Sequence, residues 1–115
     1  MSIKLWHCHN ARSLRALWSL EEMSIPYELV VLPFPPRVFQ RNFLEVNELG
    51  TVPYFVDGDI HMTESSAIPV FLAERYSKPE FTLEASHPEY GDYLNWLFHS
   101  DATLTFPQTV YIPYQ

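Results

Sequence analysis

One cysteine, Cys8, is present among 115 residues, so no internal disulfide can form and a reducing, cytoplasmic setting is expected. Basic residues are scarce as well. Seven Lys and Arg stand against fourteen Asp and Glu, for a formal net charge of -7, and they do not cluster. A nucleic-acid partner would need a basic stripe, so that class of function is not expected. No apolar run approaches the roughly 20 residues of a membrane span. The opening Met-Ser-Ile-Lys-Leu-Trp lacks a basic stretch followed by a long apolar one, so neither a signal peptide nor a membrane partner is expected. No internal repeat or low-complexity tract is visible. What is present is an apolar content of 47%, ordinary for a globular domain. A chain of this length buries roughly two thirds of its unfolded surface.

The most informative stretch runs from Leu49 to Ser66. Two short apolar runs, Val52 to Val56 and Ile60 to Met62, flank Asp57-Gly58-Asp59, which supplies the positive φ of a tight hairpin turn. Pro53 has no N–H and must open its strand or lie at an edge. Thr63-Glu64-Ser65-Ser66 then gathers hydroxyls and a carboxylate at the start of a helix, where unpaired N–H groups favour negative charge. The free peptide groups around Val52-Pro53 and the helix start at Ser65 make a platform for a small ligand. A short peptide with a free carboxylate would fit both.

The remaining elements follow in order. Ile3 to His7 reads as a strand with Ile3, Leu5 and His7 on one face and Lys4 and Trp6 on the other. Asn10 offers an N-cap for a helix over Ala11 to Met23, with Leu14, Leu17, Trp18, Leu20 and Met23 at helical spacing. Tyr27 to Leu32 is a second strand, which makes a right-handed parallel βαβ unit with the first. Arg37 to Val46 forms a short helix after the stiff Pro33-Phe34-Pro35-Pro36 loop. The hairpin and a helix from Ser65 to Tyr76 complete the first domain, with Pro69 at the end of that helix's first turn. Residues 78–86 read as a linker. His87-Pro88 opens another helix with Pro at its first position, and Tyr90, Tyr93, Leu94, Leu97 and Phe98 form its apolar side.

Thr-Val-Pro-Tyr-Phe at 51–55, followed by a turn and Thr-Glu-Ser-Ser-Ala-Ile at 63–68, resembles the glutathione-binding half of the soluble, bacterial-like glutathione S-transferases. The resemblance implies an α/β fold: a thioredoxin-like βαβ-α-ββα domain with a mixed four-stranded sheet over residues 1–77. Residues 87–115 would then begin an all-helical domain that this chain truncates. It implies a cis Pro53, although only about 5–6% of X–Pro bonds are cis in folded proteins. Val52 would pair through its backbone with the cysteinyl part of glutathione, and Glu64 and Ser65 would hold the γ-glutamyl group. A lysine frequent before the valine-proline pair is Thr51 here, so Arg37 or Arg41 would meet the glycine carboxylate instead. The implied activity is attack of the glutathione thiolate on a soft electrophile, by a homodimer. Glutathione is the co-substrate, the partner is an unidentified electrophilic small molecule, and no metal is implied.

That chemistry needs a thiol whose pKa falls by about two units, roughly 2.7 kcal/mol. Hydroxyl or N–H donors at a helix start can supply it. The turn after the first strand, His7-Cys8-His9-Asn10-Ala11-Arg12-Ser13, is the place. By the resemblance, Asn10 stands where serine-type members carry serine and Arg12 where cysteine-type members carry cysteine, while Ser13 is the hydroxyl of the turn. Ser13, Asn10 or Arg12 is therefore the expected thiolate donor. Each also has a plainer reading, as an N-cap, a solvated hydroxyl or an exposed charge. His7-Cys8-His9 does not make a metal site, because neighbours on a strand point to opposite faces. Cys8 lacks the second thiol of a Cys-x-x-Cys pair and reads as a small buried hydrophobe. A glutathione-dependent disulfide reductase, a non-catalytic binding or dimerisation module and a glutaredoxin-like domain using Cys8 are the rival readings. Tyr111, Ile112 and Tyr114, with Tyr93 and Trp96, would pack on the further helices or on a second copy.

Overall fold

The computed structural model describes residues 2–100, so Tyr111, Ile112 and Tyr114 lie outside the described residues. The chain divides into two compact units, Met1–Lys78 and Pro79–Gln115.

In the first unit, β1 (Ile3–His7) sits at the centre of a four-stranded sheet of order β2-β1-β3-β4, with β2 spanning Glu28–Val31, β3 Tyr54–Asp57 and β4 Ile60–Met62. β1 and β2 are parallel, and β3 is antiparallel to both β1 and β4. The alternation in β1 is as the sequence implies. Ile3, Leu5 and His7 are buried, while Lys4 and Trp6 are half-buried on the opposite face. The hairpin turns through Gly58, whose φ is +59°. This is the positive value that a two-residue hairpin loop needs at its first position.

Helices α1 (Leu14–Glu22) and α3 (Ala67–Arg75) pack together. Their buried faces, Ala16 and Leu20 against Ile68, Leu72 and Ala73, join Ile3, Leu5, Met23, Ile25 and Phe55 in one core. Each large side chain buried there contributes about 1.5–3 kcal/mol. Pro69 falls at the third position of α3, where its missing N–H breaks no helical bond.

Three local expectations need correction. The first helix begins at Leu14 rather than Ala11, and Asn10 is not its cap. Asn10 instead takes φ +62°, a left-handed position that asparagine tolerates. Leu14 and Trp18 do not face the core: they are 48% and 63% exposed, because the buried stripe runs through Ala16 and Leu20. The segment after Pro35 is not one helix. It is a single turn, α2 (Pro36–Phe39), followed by a 3-10 turn at Arg41–Glu45, with the break at Gln40 (φ -140°, ψ 68°).

In the second unit a 3-10 turn at Pro79–Phe81 precedes α4 (Tyr90–His99). The helix starts two residues after Pro88, not at it. The His87 ring Nδ1 accepts the Glu89 N–H at 3.0 Å, and the His87 carbonyl accepts the Tyr90 N–H. Tyr90, Tyr93, Leu94 and Leu97 are half-buried, while Trp96 and Phe98 are exposed.

Candidate functional site

Strand pairing decides which loops meet. Trp6 pairs with Tyr54, so the end of antiparallel β1 lies beside the start of β3. Phe55 pairs with Met62, so β4 ends at that same edge. Parallel β2 ends there too, with Val31 opposite His7 and the Leu32 N–H donated to the His7 carbonyl at 2.8 Å. Residues 8–13, 32–35, 49–53 and 63–66 therefore share one end of the sheet. The candidate site is this end.

The 8–13 turn closes on itself. Ser13 is fully buried, and its hydroxyl makes no cap bond to α1. Ser13 Oγ accepts the Cys8 N–H at 3.2 Å, donates to the Cys8 carbonyl at 3.3 Å and lies 2.7 Å from His7 Nδ1. A serine has one proton. With that proton on the Cys8 carbonyl, the arrangement is complete when His7 Nδ1 carries the imidazole proton and donates it to Ser13. Burial holds the His7 pKa below its ordinary value, and the neighbouring His9 lowers it further. The Cys8 thiol is buried, 3.7 Å from the Pro33 carbonyl, and burial pushes its pKa up. It is therefore held as the neutral thiol, which suits a packing role and not a redox nucleophile. Among the described residues no group of His, Cys, Asp and Glu is arranged to hold a metal ion.

The 47–53 loop is built around two residues that sequence reasoning passed over. Asn47 is buried; its Oδ1 accepts the Leu49 N–H at 3.2 Å and its Nδ2 donates to the Thr51 carbonyl at 3.0 Å. Gly50 takes φ +65°, and a Cβ placed on it would come 2.6 Å from the Arg37 Cβ and 2.9 Å from the Leu44 side chain. Only glycine fits both the backbone and the space. The signal was in the sequence as Asn-x-x-Gly, a turn with a side-chain bond to the backbone two residues on. This loop ends in the Val52–Pro53 bond, which is cis. Thr51 is exposed and Val52 half-buried. Arg37 is exposed, and its side chain leaves the chain beside Gly50.

At the start of α3 the Glu64 carbonyl accepts the N–H groups of Ala67 and Ile68. The exposed Glu64 carboxylate accepts the Thr63 hydroxyl at 2.9 Å. Ser65 is 6% exposed, and its Oγ accepts a bond from Arg15 Nη1 at 3.4 Å. Arg15 thus spans from α1 to the start of α3. Of the expected thiolate donors, Asn10 and Arg12 are exposed on the turn, whereas Ser13 is withdrawn from the surface.

A mixed sheet with a βαβ half, an antiparallel hairpin and a cis-proline opening β3 defines a thioredoxin-like domain. Residues 1–74 match the family model described as glutathione S-transferase, N-terminal domain, and the chain belongs to that family. Glutathione S-transferase 3 of Schizosaccharomyces pombe is 32% identical over 102 residues, covering 89% of this chain and 42% of that protein. The apo W234R mutant of human glutathione S-transferase T1-1 superposes with a TM-score of 0.75 at 26% identity, covering 89% of this chain and 44% of that one. Human glutathione transferase theta-2, solved in complex with glutathione and an unknown ligand, gives a TM-score of 0.68 at 29% identity over 86% of this chain and 42% of that one. The chain spans less than half the length of these relatives.

Proposed function

We propose that this chain is the glutathione-binding part of a glutathione transferase. The observation that carries the reading is the meeting of three features at one sheet end: half-buried Val52 before cis-Pro53, the Glu64–Ser65 pair, and the turn that leads into α1. On this reading the Val52 backbone pairs with the cysteinyl unit, as an added strand pairs with a sheet edge. Glu64 and Ser65 take the ammonium and carboxylate of the γ-glutamyl group. Thr51 and Arg37 lie on the side of the glycine carboxylate, with Arg37 supplying the charge.

The thiol then points toward the 8–13 turn. With Ser13 locked to His7 and Cys8, the expected donors that remain on the surface of that turn are Asn10 and Arg12. Arg12 contributes a positive charge, and Asn10 an amide donor, to a thiolate forming there. On this reading α4 (Tyr90–His99) would begin a helical domain that completes a pocket for a soft electrophile and, in a homodimer, a subunit seam. A cytoplasmic protein with glutathione as co-substrate and no metal is the corresponding whole.

Calorimetric titration with glutathione tests the reading. Binding in the micromolar-to-millimolar range, weakened by about 1–2 kcal/mol in Ser65→Ala, is the expected result. A folded protein that takes up no glutathione would leave a thioredoxin-like interaction domain.

A further inference from the structure

Three half-buried tyrosines, Tyr27, Tyr54 and Tyr76, each hold their hydroxyl against a basic side chain. The partners differ. Tyr27 donates to the Glu21 carboxylate at 2.8 Å, and Tyr76 to the Asp57 carboxylate at 2.6 Å. Tyr54 Oη lies 2.5 Å from Nδ1 of the His61 imidazole.

That difference decides which phenol can react. A carboxylate is a weak base that accepts a hydrogen bond from a phenol without taking its proton, and its negative charge opposes a phenolate beside it. Burial, and then the bond to Glu21, pushes the Tyr27 pKa up to about 12. Burial, and then the bond to Asp57, raises that of Tyr76. An imidazole is a stronger base than a carboxylate by about two pK units. It is neutral before the proton moves and positive afterwards, so the charge it gains stabilises the phenolate. With Nδ1 accepting from Tyr54, the neutral ring carries its own proton on Nε2. A hydroxyl held within hydrogen-bond reach of such a base is the arrangement of an activated oxygen nucleophile.

The sheet sets the pair on an accessible face. Tyr54 and Phe55 alternate along β3, so Phe55 enters the core and Tyr54 stands on the opposite side. Trp6 is paired with Tyr54 across β1 and β3, with its ring centroid 5.4 Å from the phenol ring, and the His61 ring on β4 lies 5.8 Å from it. These two neighbours brace the phenol, while the exposed His61 leaves the bond within reach of a reagent. The charged groups further along this face, Lys4 and Glu28, are 3.2 Å apart and offset each other.

We propose that Tyr54, activated by His61, is a nucleophile of this domain that takes activated acyl and sulfonyl donors into covalent linkage. In the step, the Tyr54 oxygen bonds to the carbonyl carbon or the sulfur. The phenol proton passes to His61 Nδ1, and the leaving group departs with the electron pair of the broken bond. The imidazolium then returns its proton to water. Such hard electrophiles suit an oxygen nucleophile, whereas a glutathione thiolate suits soft ones. The assignment therefore stands whether or not glutathione binds.

The test is labelling of the 115-residue chain with benzenesulfonyl fluoride, which releases fluoride, with modified residues and their rates read by peptide mass spectrometry. The proteins are wild type, His61→Gln and His61→Phe, each checked for folding by circular dichroism. His61→Gln keeps an amide oxygen that can accept from Tyr54 but cannot take its proton. Tyr54 should be labelled at least about tenfold faster than Tyr27 and Tyr76, and both His61 variants should lower the Tyr54 rate by about tenfold or more. A Tyr54 rate no greater than those of Tyr27 and Tyr76 overturns the proposal. So does a His61→Gln rate equal to that of wild type, since His61 would then only position the ring. A label carried by His61 in place of Tyr54 overturns it as well. If a variant does not fold, the wild-type comparison among the three tyrosines decides alone.

Discussion

Ser13 and Ser65 occupy similar places, each just ahead of or at the start of a helix, and both are buried. Neither caps its helix, yet their bonds go in opposite directions. The Ser13 hydroxyl bonds within the 7–13 segment, to His7 and Cys8. Ser65 is held from another helix, by Arg15, fifty residues away in sequence. The first arrangement uses every lone pair and proton of the hydroxyl to fix a turn, and leaves nothing for a ligand. The second is a single long bond to a charged group, which a ligand can enter. A hydroxyl at a helix start is thus a scaffold in one place and a candidate binder in the other, and its bonding partners tell the two apart.

The contrast is broken most forcefully at Ser13. Ser13→Ala leaves the Cys8 N–H and carbonyl and the His7 ring without their shared partner in a dry site. Unfolding should show a loss of about 1–3 kcal/mol. Ser65→Ala removes one long bond, and urea unfolding should register less than about 1 kcal/mol, while its effect appears in glutathione titrations. Equal losses of stability from the two substitutions would erase the distinction. At Asn10, where φ is +62°, alanine should cost about 1 kcal/mol, whereas glycine should change stability by less than about 0.5 kcal/mol. Thermal denaturation of both variants separates the two.

The smallest effect concerns pH. The folded-state pKa of His7 lies below its ordinary value of 6.5, so the unfolded chain binds the proton more readily. The stability that neutral His7 provides is complete above about 6.5 and is lost as pH falls from there through the folded value. A His7→Asn variant, which keeps a polar atom near the Nδ1 position, should flatten the stability profile on that acid side. A slope unchanged in the variant would assign the pH dependence to other groups.

The sheet was legible because alternation in Ile3–His7 and the Asp-Gly turn are local signals with a period of two. The thioredoxin-like topology followed once the hairpin and the βαβ unit were placed in order. The helix faces were less legible. Leu14 and Trp18 share the helical spacing of Leu17 and Leu20, and periodicity alone does not say which of two overlapping stripes meets the sheet. The resemblance named Val52, Pro53, Glu64 and Ser65 as candidates, and the fold brings them to one end of the sheet. The bonding partners of Arg15 and Ser13 were not legible. Arg15 gains its meaning from a contact across fifty positions, and Ser13 from the imidazole of His7, which strand alternation turned inward. Neither pairing leaves a trace in local spacing. Gly50 is intermediate, because its positive φ was readable from the turn but the Arg37 Cβ behind it was not.

Asp57 occupies the far end of the same hairpin. Its carboxylate accepts the Ser2 hydroxyl at 2.8 Å through Oδ1 and the Tyr76 hydroxyl at 2.6 Å through Oδ2, and the Tyr76 pKa is raised by burial and by that carboxylate. The first residues of the domain and its last helical turn are buckled to one side chain. Tension drawn between the N-terminus and the connection at Lys78 is therefore carried first by that carboxylate, before any strand pair is sheared. In single-molecule pulling from those two points, Asp57→Ala should open residues 1–78 at a lower force than the unaltered chain.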